Sequence, residues 1–277
     1  MIAWDGIVWT AGSIILGLVA GGFLNVVIYR LPRIEGWPYP FLGADADDET
    51  SPAPRLTLSS PGSHCPGCGH RITAIQMIPL VGYAVLRGAC ARCGDRISAR
   101  YPTVELLAAA AAASSMLIYG PTPQGFLAMV LAWFAIAIGF IDAENLVVPD
   151  VLSLALLWTG LAANAFEVFT SPSAAIFGAA AGYIALWVVN AVAERLLGRV
   201  AVGQGDFKLF AAIGAWLGWQ ALAPVLLFAS TAGVIVGYAL VWFGVLQRGG
   251  PICFAPFLLA GALVTLFLPD WYLTLLT

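Results

Sequence analysis

The chain has 277 residues, 61% hydrophobic and only 10% charged, with a formal net charge of −3 and a mean hydropathy of +0.91. Soluble domains carry about 25% charged residues, so a water-soluble domain, a disordered chain, a fibrous repeat and a nucleic-acid-binding module are all excluded. The uncharged stretches 6–29, 106–141, 168–193, 209–247 and 249–269 each reach the roughly 20 residues that cross a bilayer as helix.

In chain order, the first span is expected over 7–29. No basic segment precedes it and Arg30 and Arg33 follow it directly, which marks an uncleaved helix rather than a secretory signal. Next comes a polar segment, 30–102, whose part 36–54 is rich in Pro, Asp and Gly and is expected to be a solvated acidic loop carrying Asp45, Asp47, Asp48 and Glu49. The 36 uncharged residues at 106–141 are too long for one crossing. Pro121, Pro123, Gln124 and Gly125 break them into a hairpin of spans at 103–119 and 125–142. Spans at 150–168 and 174–193 follow. The stretch 209–247 splits near 218–224 into spans at 207–223 and 225–246, and a last span is expected over 253–274. The fold class is therefore an all-α polytopic membrane protein with about eight transmembrane helices.

Basic residues orient these spans, because short cytoplasmic loops collect Lys and Arg. With eight spans all 12 basic residues fall on one side. Eight of them, from Arg30 to Arg100, lie between spans one and two; Arg195, Arg199 and Lys208 lie near the fifth-to-sixth connection, and Arg248 between seven and eight. The other side receives Asp5, Glu167 and Asp270. Both termini are then expected outside, with 30–102 in the cytoplasm.

Four of the 5 cysteines sit in the cytoplasmic segment in two equal spacings, Cys65-Pro-Gly-Cys68 and Cys90-Ala-Arg-Cys93. Each pair is followed by glycine, and each is a knuckle that can turn two thiolates toward one metal. Two knuckles complete a tetrahedral zinc site in a small zinc-ribbon-like domain. A redox dithiol pair and free thiols are the other readings, and disulfides are disfavoured by the compartment. His64 and His70 flank the first pair and are possible replacement ligands. Cys253 stands alone in an apolar span and reads as a small core residue.

Ionisable groups inside spans are costly and so point to function. Asp142 ends the third span and Asp206 opens the sixth, which puts both at the cytoplasmic boundary. Two carboxylates that meet there share a proton. One then acts as base on a water while the other, protonated, polarises a carbonyl, the machinery of aspartyl peptide hydrolysis. Gly203 and Gly205 leave room for the backbone to approach an extended peptide. Against this, Asp206 is also placed to be a helix N-cap or to pair with Lys208, and Asp150 follows Pro149 at a helix start, where Asp is favoured. Paired intramembrane Asp residues also occur in proton- or ion-coupled transporters.

Taken together, these motifs resemble those of the prepilin peptidases, the type 4 leader peptidases of the bacterial inner membrane. The resemblance rests on Gly21-Gly22-Phe23-Leu24-Asn25-Val26-Val27-Ile28-Tyr29-Arg30-Leu31-Pro32. It continues through Cys65-Pro66-x-Cys68-x-His70, Ile78-Pro79, Leu86-Arg87-Gly88, Cys90-x-x-Cys93 and Ile97-Ser98-x-Arg100-Tyr101-Pro102-x-x-Glu105. Asp142 with Pro149-Asp150, and Gly203-Gln204-Gly205-Asp206-Phe207-Lys208, complete it. Gly22 stands where the family has Ser, Met77 stands where it has Asn, and the insertion 36–54 does not align.

The resemblance implies an aspartic endopeptidase of the Gly-x-Gly-Asp type. Its substrates would be type IV prepilins and the pseudopilins of type II secretion, cut after a Gly at the cytoplasmic membrane face. The catalytic pair carries over to Asp142 and Asp206, with Asp150 as the fallback for Asp142 and with Gly203, Gly205, Lys208 and Asp150 supporting the site. It further implies N-methylation of the new terminus with S-adenosylmethionine, linked to the Cys-rich domain and its structural zinc. The expected division is an N-terminal transmembrane helix at 1–29, a cytoplasmic four-cysteine domain at 30–102 and a seven-helix peptidase domain at 103–277. Expected partners are prepilin and pseudopilin substrates and membrane lipid, with no nucleic acid.

Overall fold

Every long element is a helix, and the runs are ended by the residues that break them. A computed structural model describes residues 2–37, 56–198, 202–247 and 250–268. Loop residues Asp45, Asp47, Asp48 and Glu49, with Arg55, Arg199, Arg248 and Asp270, lie outside them. The helices are α1 (Ile2–Ile34), the short α2 (Val81–Val85), α3 (Arg100–Tyr119), α4 (Pro123–Asn145), α5 (Asp150–Asn164), α6 (Pro172–Leu197), α7 (Gln204–Leu217), α8 (Leu222–Trp242) and α9 (Ala255–Phe267). The described residues contain no strand, only the isolated bridges His64–Arg71 and Ala89–Arg96. Gly120 at φ 67° ends α3, and Gly218 at φ 80° ends α7, since only glycine enters the left-handed region without strain. Both expected hairpin breaks therefore fall where they were read.

Apart from α2, the helices occupy the positions of the eight expected spans. Five of them, α1, α3, α4, α6 and α8, are long and apolar enough to cross a bilayer. The others are shorter than the expected spans: α5 has 15 residues, α7 has 14 and α9 has 13. At 1.5 Å per residue each rises only about 20–22 Å, short of the ~30 Å hydrocarbon core. The cause at α5 is Asn164, which is fully buried. Its amide donates to the carbonyls of Ala215 (2.7 Å) and Trp216 (2.8 Å), and its Oδ1 accepts from the N–H groups of Phe169 and Thr170. The end of α5 is thereby tied to the end of α7, and the chain turns back.

The chain divides within α4 into two compact units, 1–137 and 138–277. In the first, α1 and α3 run antiparallel in close contact. A Cβ at Gly17 would lie 2.6 Å from the Ala109 Cα, and one at Gly21 would lie 2.6 Å from the Glu105 Cα. One turn further along, Asn25 donates to the Tyr101 carbonyl at 3.0 Å. Small residues at successive turns are what lets two apolar helices approach this closely. Trp133 of α4 donates its indole N–H to the Ala108 carbonyl at 3.1 Å. In the second unit α7 is the buried centre, with Leu209, Phe210, Ala212, Ile213, Ala215 and Trp216 at most 1% exposed. Glycine again sets the spacing: a Cβ at Gly178 would lie 2.3 Å from the Gly214 carbonyl oxygen, and one at Gly182 would lie 2.6 Å from that of Phe210.

Large apolar side chains face outward, and several polar ones face inward. Ile7, Val8, Ile15, Trp158, Phe177, Val234 and Tyr238 are exposed, while Asn25, Glu105, Ser115, Asp142, Asn145, Ser153, Asn164 and Asp206 are buried. Apolar flanks, with the few polar groups turned inward, suit a hydrocarbon solvent.

Candidate active site and metal centre

Asp142 lies one turn before the end of α4, and Asp206 is the third residue of α7; they are 5% and 9% exposed. Asp142 Oδ2 accepts the backbone N–H of Ala255 at 3.1 Å. That N–H is the first of α9, one of the donors that a helix start leaves unpaired. Asp206 reaches back to the N–H of Gly203, the residue that caps α7, as the third residue of a capping box does. The two carboxylates lie in each other's electrostatic field, and the half-buried Cys253 thiol lies in the field of both. Three helix termini thus bring together two acids that are 64 residues apart in sequence. Two buried carboxylates that influence each other can serve one substrate as base and acid.

The alternative partners read from the sequence separate here. Lys208 does not pair with Asp206: its Nζ lies 2.7 and 2.6 Å from the two oxygens of Asp150, joining the starts of α5 and α7. Asp150 is the first residue of α5 with its side chain 57% exposed. Gly205 is filled from within the protein, since a Cβ there would lie 2.8 Å from that of Val148. Gly203 has only the Asp206 carboxylate near it, at 3.4 Å from an added Cβ.

Two residues of this site were not singled out from the sequence. Asn145, 4% exposed, is three residues beyond Asp142 and so on the same face of α4. Its amide donates to the Ile141 carbonyl at 3.0 Å, and its Oδ1 is buried without a partner among the described residues. A polar residue three positions from a suspected acid was the available signal. Ala255 contributes only its backbone, which no side-chain pattern reveals.

In the other unit, the four cysteines converge. The sulfurs of Cys65, Cys68, Cys90 and Cys93 all lie within 4.8 Å of one another, with Cys65–Cys93 at 3.7 Å and Cys68–Cys90 at 3.9 Å. A tetrahedral zinc with bonds of ~2.3 Å requires sulfurs about 3.8 Å apart, so this donor set fits the ion and could hold it. The two knuckles repeat each other. Gly69 (φ 67°) and Gly94 (φ 74°) take the left-handed conformation and donate their N–H to Cys65 O (2.9 Å) and Cys90 O (3.0 Å). Each knuckle is closed by one of the two bridges. Backbone N–H groups of Cys93 and Arg92 draw the Cys90 thiol down to about 6. At Cys93 the Asp95 backbone pulls down, but Cys68 and the other thiols push it up to about 12. Four thiols so close do not all ionise without a cation among them. Neither His64 nor His70 joins the cluster; His64 Nδ1 sits 3.0 Å from the Gly62 carbonyl.

Comparison with known proteins shows the family. Residues 15–119 match the bacterial peptidase A24 N-terminal domain, and residues 129–238 match the type IV leader peptidase family. A protein of Burkholderia pseudomallei (strain 1026b) is 43% identical over 93% of this chain and 84% of its own. One from Aeromonas hydrophila is 41% identical over 97% and 96%, and one from Pseudomonas aeruginosa is 39% identical over 93% and 90%. All three are named prepilin leader peptidase/N-methyltransferase. The chain belongs to the type IV leader peptidase family. No solved structure matches it. Within the family regions, Asp142, Asp150, Asp206 and Lys208 fall in the leader peptidase match and the four cysteines in the N-terminal one, while Cys253 and Ala255 lie beyond both. Membership of a peptidase family leaves the transporter reading of the paired acids without support. With its five membrane-length apolar helices, this leader peptidase is an integral membrane protein.

Proposed function

We propose that the chain is a bifunctional prepilin peptidase and N-methyltransferase of the bacterial inner membrane. It cuts the basic leader of type IV prepilins and type II secretion pseudopilins after Gly at the cytoplasmic face. The observation that carries the reading is the pair of buried carboxylates at the ends of α4 and α7, inside the family's peptidase region. One of Asp142 and Asp206 takes a proton from the attacking water. The other, protonated, donates to the scissile carbonyl oxygen, and the proton held by the first then passes to the leaving amine. The N–H of Ala255 holds Asp142 in place, and the short helices α7 and α9 start beside these acids. The Lys208–Asp150 pair fixes the relative positions of α5 and α7 and takes no part in proton transfer.

The assigned topology places both termini in the periplasm and 30–102, with the four-cysteine domain, in the cytoplasm, leaving 103–277 as the peptidase domain. Zinc held by Cys65, Cys68, Cys90 and Cys93 is structural. S-adenosylmethionine, when bound, supplies the methyl group for the new N-terminus, and the chain must supply an acceptor for the amine proton. The relatives' names support both activities.

One assay tests the reading. Purified protein is mixed with a prepilin in detergent and the mass followed for loss of the leader and gain of one methyl group. Asp142→Asn and Asp206→Asn are each expected to abolish cleavage at unchanged protein level, while Asp150→Asn retains it. Full cleavage by either of the first two variants would overturn the assignment.

A further inference from the structure

We propose that Glu105, with the Asn25 carboxamide one helical turn away, forms the site that receives the N-terminal ammonium of the cleaved product and takes its proton before methyl transfer. The proposal rests on the methyltransferase reading above.

Glu105 is the buried acid that the cleavage chemistry leaves unused. It is 8% exposed and sits in the membrane-length helix α3. Among the described residues no cationic side chain pairs with it. Its one hydrogen bond comes from the Leu80 N–H to Oε2 at 2.8 Å, so Oε1 keeps its acceptor capacity. An unpaired ionisable group in such a span is costly and marks a functional site.

Asn25 points to the same ligand independently. It is 2% exposed, and its amide nitrogen is committed twice, to the carbonyls of Gly21 (3.2 Å) and Tyr101 (3.0 Å). That arrangement forbids a flip and leaves Oδ1 buried with no partner among the described residues. Tyr101 is one turn before Glu105 on α3, and Gly21, one turn before Asn25 on α1, abuts the Glu105 backbone. Both unused atoms are acceptors. The missing group is therefore a multiple donor with positive charge, which describes a primary ammonium better than an amide or a hydroxyl.

Peptide cleavage produces such a group, attached to a hydrophobic helix. Glu105 accepts one proton from the ammonium. The freed nitrogen lone pair attacks the methyl carbon of the sulfonium donor; the N–C bond forms as the C–S bond breaks, and sulfur keeps that electron pair. The product leaves as a secondary ammonium. The sulfonium donor is also a cation, but its reaction sheds no proton and so has no use for a neighbouring base.

Glu105→Gln separates charge from fold, because its amide oxygen still accepts the Leu80 N–H. The full-length protein in detergent is titrated with a synthetic peptide of a mature pilin N-terminus, with its amine free or acetylated. The wild type is expected to prefer the free amine by about tenfold or more, as a charge-assisted hydrogen bond implies, and Glu105→Gln to lose that preference. The variant's unfolding temperature and zinc content are expected to match the wild type. The proposal is overturned if the wild type shows no preference or if the variant keeps it. It is also overturned if the variant instead loses the preference for S-adenosylmethionine over the neutral S-adenosylhomocysteine, which would make this a sulfonium site. Because binding is read without methyl transfer, an amine preference in a protein that methylates nothing would sink the methyltransferase reading and leave the amine site standing.

Discussion

Asn145 shows how a single residue reveals the cost of function. Burying an acceptor without a partner costs about 1–3 kcal/mol, and Asn145 Oδ1 is such an acceptor on the helix face that carries Asp142. Leucine at this position would remove the penalty at similar volume. Asn145→Leu is therefore expected to raise the unfolding temperature in detergent while lowering kcat for leader cleavage, with KM little changed; an unchanged kcat would show that substrate and water ignore the amide. The acids themselves predict the pH response. At low pH both are protonated and no base remains, so the rate of cleavage should fall along an acidic limb. A flat profile between about pH 4 and 9 would count against proton transfer by this pair. Asp142, Asp206 and the four cysteines were all legible in the sequence from residue type and spacing. Asn145, the Ala255 N–H and the Lys208–Asp150 pairing were not, because each depends on which helix end arrives beside which.

Between elements, glycine and asparagine decide how closely helices meet. Gly178 and Gly214 face each other across α6 and α7 so closely that a Cβ on either would strike the other's backbone. Such a clash cannot be relieved by rotating a side chain. Gly178→Leu is expected to lower stability by about 1–3 kcal/mol or more, as overpacking does, and to reduce cleavage by displacing α7 and with it Asp206. Tm and activity measured together check this, and wild-type values for both would contradict the packing. The same reasoning explains why the expected spans were too long at α5 and α7. Hydropathy registers an uninterrupted apolar run, whereas the Asn164 side chain stops α5 by bonding the last carbonyls of α7, a contact between residues 51 and 52 positions apart.

For the whole molecule, the cysteine cluster lies in one compact unit and the acid pair in the other. A strong zinc chelator, or Cys65→Ser with Cys68→Ser, is expected to loosen residues 63–97 to proteolysis and to impair methylation more than cleavage. A metal held by the four cysteines would organise a segment with little core of its own, whereas aspartyl hydrolysis needs none. Equal loss of both activities at unchanged protein level would show that the units are not separable. The sequence alone determined the all-helical membrane class, the approximate place of each helix, the two cysteine knuckles and which acids stand out in apolar spans. Those properties are local: the hydropathy of a run, the spacing within a knuckle and the charge of a residue in an apolar context. Tertiary structure alone decided that three helices are short, that Lys208 holds Asp150 rather than Asp206, that the first N–H of α9 supports Asp142, and that Glu105 is buried with no counter-ion among the described residues. Each of these depends on distance between segments remote in the chain, and such distances are set by packing rather than by composition.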